Sequence, residues 1–244
     1  ASSADRFDVG AISPVVDAMN GGLAALELHP LLCERADLGA LSRLERHFLP
    51  FARRMERLLE RRVARNLDRE TEALAFFARR HLRAHRPLVR GLVEHLGELG
   101  RPRDEIEHLR CGTRAAQCLL RAEAAVERGS LPLTHALLVH GLECLVQLMC
   151  RRGIAMAEAL GGRIAVFEGR GRGHEELAMT GLELFDGLEH DALEVVLGEL
   201  EMLFADAFGL LDEWRDTDPP QPPPGRVRRR TSRWGVGPAP DGAA

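Results

Sequence analysis

The sequence predicts an all-α protein, a multi-helix bundle followed by a disordered tail rich in Pro and Arg. Three observations carry this. Apolar residues recur at three- and four-residue steps over most of residues 15–213, the spacing that lines one face of a helix. Leu, Ala, Glu and Arg are abundant, while aromatics make up only 5% and Tyr is absent; straight side chains lose little rotamer freedom in a helix. No stretch alternates with period two for long enough to make a sheet, and Ile164 to Phe167 is an isolated strand at most.

In chain order, residues 1–20 read as a loop leading into a helix from Val15 to Cys33, with a break near His29-Pro30 because proline disfavours helix at the residue before it. Leu44, Phe48, Phe51, Met55, Leu58, Leu59, Val63 and Leu67 form the clearest apolar stripe, opposite a face of Arg and Glu. Helix continues from Asp68 to Arg83, breaks at Pro87, resumes over Leu88 to Leu99, and stops at Gly100-Arg101-Pro102. The next helix is capped near Asp104 and runs to about Arg128. Gly129-Ser130-Leu131-Pro132 is a turn, with Pro132 suited to the first turn of the helix that follows. That helix, Leu133 to about Leu160, is apolar on more than one side and is therefore central; Gly161-Gly162 ends it. Helix resumes from Glu175 to Leu188 and from Asp191 to Trp214. The chain thus divides into a helical region over 1–130, a second over 131–218 packed with it, and a tail over 219–244. From Pro219 to Pro240 there are five Arg, many Pro and no acid, a composition with little to bury.

The 45% hydrophobic content is enough for a core, and the net charge of -4 argues against a surface that attracts nucleic acid everywhere. All 33 basic residues are Arg, whose planar fork suits phosphate oxygens, so any RNA contact requires a local basic patch. Five cysteines, an odd number without a CxxC pair, argue against a zinc ribbon and a disulfide scaffold. No signal peptide opens the chain and no charge-free apolar run reaches roughly 18 residues. The expectation is a cytoplasmic protein with no membrane partner.

Candidate chemistry is sparse. His81 and His85 share a helix face, as zinc ligands can, but no HExxH accompanies them; Glu105 with His108 is a single ExxH, where a di-iron bundle repeats it. A set of His47, His81, His85 and His95 lacks the carboxylates of a hemerythrin-like centre. No metal and no cofactor are expected. Residues 161–174, GGRIAVFEGRGRGH, hold five glycines but no Lys-Ser or Lys-Thr of a phosphate-binding loop. Arg–His pairs carry more. A metal-free ribonuclease needs a group to move or hold the 2′-hydroxyl proton and a cation to stabilise the crowded phosphate. Arg80 with His85, Arg90 with His95, and Arg128 with His135 have suitable spacings.

Residues 120–131, LRAEAAVERGSL, and 136–146, ALLVHGLECLV, with the opening from Val9 to Leu44, resemble the C-terminal helical region of CRISPR-associated CARF–HEPN proteins of the DxTHG type. The resemblance spans about residues 9–213. In that family a helix ends in a similar Arg-Gly turn, the next helix carries a mid-helix Glu, and the catalytic Arg and His follow near the start of a late helix. The corresponding residues here are Arg170, Arg172 and His174; three residues separate Arg170 from His174, and Gly171 stands where the family has Asn or another polar residue. The resemblance implies a metal-independent endoribonuclease in antiviral defence. Arg170 or Arg172 would stabilise phosphate and His174 would act in proton transfer. It also implies a homodimer with a composite site, single-stranded RNA as partner, and either a C-terminal effector region of a protein with a sensor domain or a relative that lost its sensor. Arg163, Arg228, Arg229 and Arg230 are candidate RNA contacts. The rival expectation is a non-catalytic helical interaction subunit holding a protein or RNA through Arg-rich helix faces and the basic tail.

Overall fold

The structure, a computed structural model, describes residues 14–65, 71–170 and 181–218. The expected leading loop up to Ser13, the segment with Arg172 and His174, and the tail from Pro219 lie outside them. Among the described residues there is no strand, and the protein is an all-α, multi-helix bundle.

The first helix, α1 (Pro14–Glu27), stops before His29-Pro30, and the short α2 (Pro30–Cys33) follows, with His29 Nδ1 accepting from the Leu31 N–H. Asp37 caps α3 (Leu38–Ala64) through a 2.7 Å bond from the Ala40 N–H. The predicted stripe of α3 is buried from Leu44 to Leu59 and faces α4 (Glu72–Glu98), which Thr71 caps.

The break expected at Pro87 does not occur: α4 runs through it, as α3 runs through Pro50. Proline removes one N–H from the ladder and crowds the preceding turn. In α4 the carbonyl left without its partner belongs to Arg83, on the exposed face where water can take it, while Leu82, Leu88 and Leu92 anchor both sides in the core. Gly100, at φ +80°, ends the helix as expected.

The single helix expected from Asp104 to Arg128 is in fact two, α5 (Arg103–His108) and α6 (Thr113–Arg128). The cause is tertiary. The carboxylate of Glu213 accepts from the N–H groups of Arg114 and Ala115 at 3.1 and 3.2 Å, capping a new helix start that local sequence does not announce.

Ser130 caps α7 (Leu131–His135), with Pro132 in its first turn. A π-helical segment, Ala136–Glu143, then leads into α8 (Cys144–Ala159) with no interruption of the helical backbone. The continuous span Leu131–Ala159 is long and apolar enough to cross a membrane by length and composition; 89% of its most apolar window is buried inside the bundle. Gly161, at φ +75°, terminates it.

Where the sequence allowed an isolated strand at most, Ala165–Arg170 forms a short helix, α9, because Ile164 and Phe167 both turn into the core. The helix expected up to Leu188 is not present over the described residues 181–188. Gly181 and Gly187 adopt φ +81° and +77°, and Leu182–Leu184 is a 3-10 turn. The last helix, α10 (His190–Asp216), buries Val196, Leu200, Leu203, Phe204, Ala207 and Leu211 against α1, α6 and the π segment. Trp214 closes the core against Phe48 and Phe51.

Two glycines set helix spacing. A Cβ on Gly22 would lie 2.3 Å from the Phe204 ring, and one on Gly153 would lie 2.3 Å from the Phe167 ring. Phe167 is fully buried, so it cannot swing aside. Gly153→Ala is expected to destabilise the protein by about 1–3 kcal/mol through overpacking, read as a lower melting temperature. An unchanged melting temperature would show that α9 yields freely.

Candidate functional site

Of the residues singled out in the sequence, Arg170 ends α9, but its side chain lies outside what is described, as do Arg172, His174, Arg228, Arg229 and Arg230. Arg163 is described. Its side chain is 77% exposed, and both arms of its fork meet Glu168, at 2.7 and 2.6 Å. An anion reaching Arg163 would compete with that carboxylate for the guanidinium. The three Arg–His spacings do not converge. In each the arginine is exposed, while His85 donates to the Ala52 carbonyl at 2.9 Å, His95 bonds Glu45 at 2.8 Å, and His135 is buried.

The histidines of α3 and α4 are separate structural groups. His47 bonds the Thr217 carbonyl at 2.8 Å and stacks on Trp214; burial pushes its pKa below the ordinary value, outweighing that bond. The hydrogen bond to Glu45 raises the pKa of His95, while burial raises that of Glu45. Among the described residues, no group of three or more His, Cys, Asp or Glu side chains is arranged to hold a metal ion.

Sequence reasoning missed the polar cluster at the π segment. A π turn widens the helix and is frequent at functional sites. Here it carries His140 and Glu143 into the interior. Glu143 Oε2 lies 2.6 Å from His81 Nε2, with side-chain exposures of 1% and 2%, and Gln147 donates to the other carboxylate oxygen at 3.4 Å. His140 is completely buried, and neither ring nitrogen has a hydrogen-bond partner among the described residues. Its ring lies edge-on to those of His135 and Phe185, each at 5.6 Å. Burial lowers its pKa to about 4, so the imidazole is neutral at pH 7.

Gly181 presses on the same cluster. It has φ +81°, and a Cβ there would come within 2.4 Å of His135 Nε2, so glycine is required for two independent reasons. A cavity of about 20 Å³ borders Arg62, His81 and His135, room for about one water. The pair His81–Glu143 can share a proton, yet it is closed to a polymer substrate. What it does is pin α4 to the π segment. The one sequence clue was a His and a Glu inside the apolar run 136–146.

A second feature is open. Between α3 and the α5–α6 connection lies a cleft of about 520 Å³ lined by Pro50, Arg53, Arg54, Arg57, Arg110 and Cys111, among others. Arg54 is held in a bidentate pair with Glu123, at 2.8 and 3.0 Å, and Arg53 donates to the Ile106 carbonyl at 2.9 Å. The i, i+4 spacing of Arg53 and Arg57 was visible in the sequence; their juxtaposition with Arg110 depends on the break before α6.

No protein-family model matches the sequence, and no match to it is found among the curated proteins.

Proposed function

We propose that the chain is a HEPN-like, metal-independent endoribonuclease domain of prokaryotic, CRISPR-associated antiviral defence, acting on single-stranded RNA as a homodimer. The observation that supports this is the helical hairpin of α6 and the Leu131–Ala159 span. It has an Arg-Gly turn at its apex, and Glu143 is buried in mid-helix where the family resemblance has a glutamate. The segment bearing the candidate catalytic residues is tethered at both ends to this span. Phe167 packs on Gly153 before it, and Gly181 on His135 after it. In this reading Arg170 or Arg172 stabilises the phosphate as it gains its fifth oxygen, a role suited to a guanidinium. His174 moves or holds the proton of the attacking 2′-hydroxyl. Exposed Val195 and Met202, seven residues apart on α10, offer an apolar strip to a second copy.

The test is cleavage of a single-stranded RNA with EDTA present. The wild-type chain should cut, and His174→Ala and Arg172→Ala should each lose activity by about a hundredfold or more with unchanged helical circular dichroism. Equal cleavage by both variants, or cleavage abolished by EDTA, would overturn the assignment. RNA bound but left intact by the wild type would favour the non-catalytic interaction subunit.

A further inference from the structure

We propose that the cleft between α3 and the α5–α6 connection is an anion site that takes the phosphate group of a nucleotide, free or at the level of an RNA strand. This stands independently of the nuclease reading.

The first ground is uncompensated charge. Among the described residues, no carboxylate is ion-paired with Arg53, Arg57 or Arg110. Each acid at or near the cleft already has a partner of its own, including Glu107, which lines the cleft. Glu107 bonds Arg103 at 3.0 Å, Glu123 holds Arg54, Glu56 faces Arg86 at 3.6 Å, and Glu213 caps α6. Like charges gathered at one place are unfavourable, and burial, together with the Arg110 and Arg57 charges, pushes the pKa of Arg53 below its ordinary value against the pull of Glu107. An incoming anion relieves that repulsion.

Geometry is the second ground. Arg53 is half-buried and fixed by its bond to the Ile106 carbonyl, so its fork is pre-oriented and has donors to spare. The volume falls in the range of small-ligand sites. No aromatic side chain lines the cleft, so it offers no platform for stacking a base; phosphate is what it recognises. Catalysis by the neighbouring thiol does not enter, because burial pushes the pKa of Cys111 up to about 11 despite Arg54 and Arg57. The thiol is neutral at physiological pH, and it adds no negative charge to compete with a ligand.

The experiment is calorimetric titration of the full chain at low salt with three probes: inorganic pyrophosphate, adenosine 5′-monophosphate, and a ten-nucleotide oligouridine with a 5′-hydroxyl. The protein carries His174→Ala throughout, so that RNA cleavage cannot remove the probe. At least one probe should bind, and Arg57→Glu with Arg110→Glu should weaken it about tenfold or more. Arg79→Glu, an exposed change on α4 outside the lining, should leave affinity within about twofold. Binding of pyrophosphate and the mononucleotide identifies a free nucleotide as ligand; binding of the oligouridine alone identifies the strand backbone. Should the double variant lose its helical signal, Arg57→Gln alone, at an exposed position, carries the same expected direction. No binding of any probe, or equal binding by the cleft and control variants, overturns the proposal.

Discussion

Glu143→Ala is expected to cost the fold about 3–5 kcal/mol, a large part of what a domain of this kind has. The change leaves His81, 2% exposed, facing an empty space where a carboxylate stood 2.6 Å away. It also frees Gln147 from its acceptor. The loss comes mainly from the orphaned partner, since the desolvation of a buried polar pair offsets most of what its members gain from each other. The double variant His81→Leu with Glu143→Leu should therefore regain most of the loss, because it removes both polar groups and refills the space. Urea denaturation of the two single variants and the double gives the coupling directly. A cost below about 1 kcal/mol for Glu143→Ala, or a double variant as unstable as the two singles added together, would contradict this account of the pair.

The second large effect has the opposite sign. His140→Leu is expected to stabilise the protein by about 1–3 kcal/mol at pH 7, because the native imidazole is buried and neither of its nitrogens has a partner among the described residues. The gain should grow in acid. With a folded-state pKa of about 4 against an ordinary value of 6.5, the unfolded chain takes up a proton that the folded chain refuses. Stability is thus lost as pH falls from 6.5 towards 4 and is unaffected by this group above that window. At pH 5 the loss is roughly 2 kcal/mol, and the leucine variant should not share it. Unfolding curves at pH 7 and pH 5 for both proteins check the two parts separately. A variant less stable than the wild type, or a difference that does not change with pH, would refute the argument.

Helices were legible where one face alone meets the core. The α3 stripe from Leu44 to Leu59 and the α10 set from Val196 to Trp214 follow local spacing, and the Gly129–Pro132 turn follows local chemistry. What escaped was decided at a distance. Gly112 starts a helix because Glu213, about a hundred positions later, satisfies its free N–H groups. Pro87 fails to stop α4 because packing on both sides outweighs one lost backbone bond. Ile164 and Phe167 look like a strand edge until the Gly153 hollow gives the Phe167 ring a place. At the site, His81 was visible as one of a pair with His85 on a shared face. Its actual partner lies 62 positions away, a pairing that no helical periodicity encodes.

The widened turn at Ala136–Glu143 acts as an insertion absorbed inside a continuous rod. An α-helix advances about 100° per residue, so a surplus residue taken up by wider turns shifts the phase of everything after it. Cys144–Ala159 presents Leu145, Met149 and Met156 to the core only in that shifted phase. Deleting one residue between Ala136 and Glu143 would leave an unbroken and more regular helix. It would also rotate the downstream half by about 100°, carrying those side chains off the core and Gly153 away from Phe167. Related sequences should therefore tolerate substitutions across this stretch far better than a change in its length.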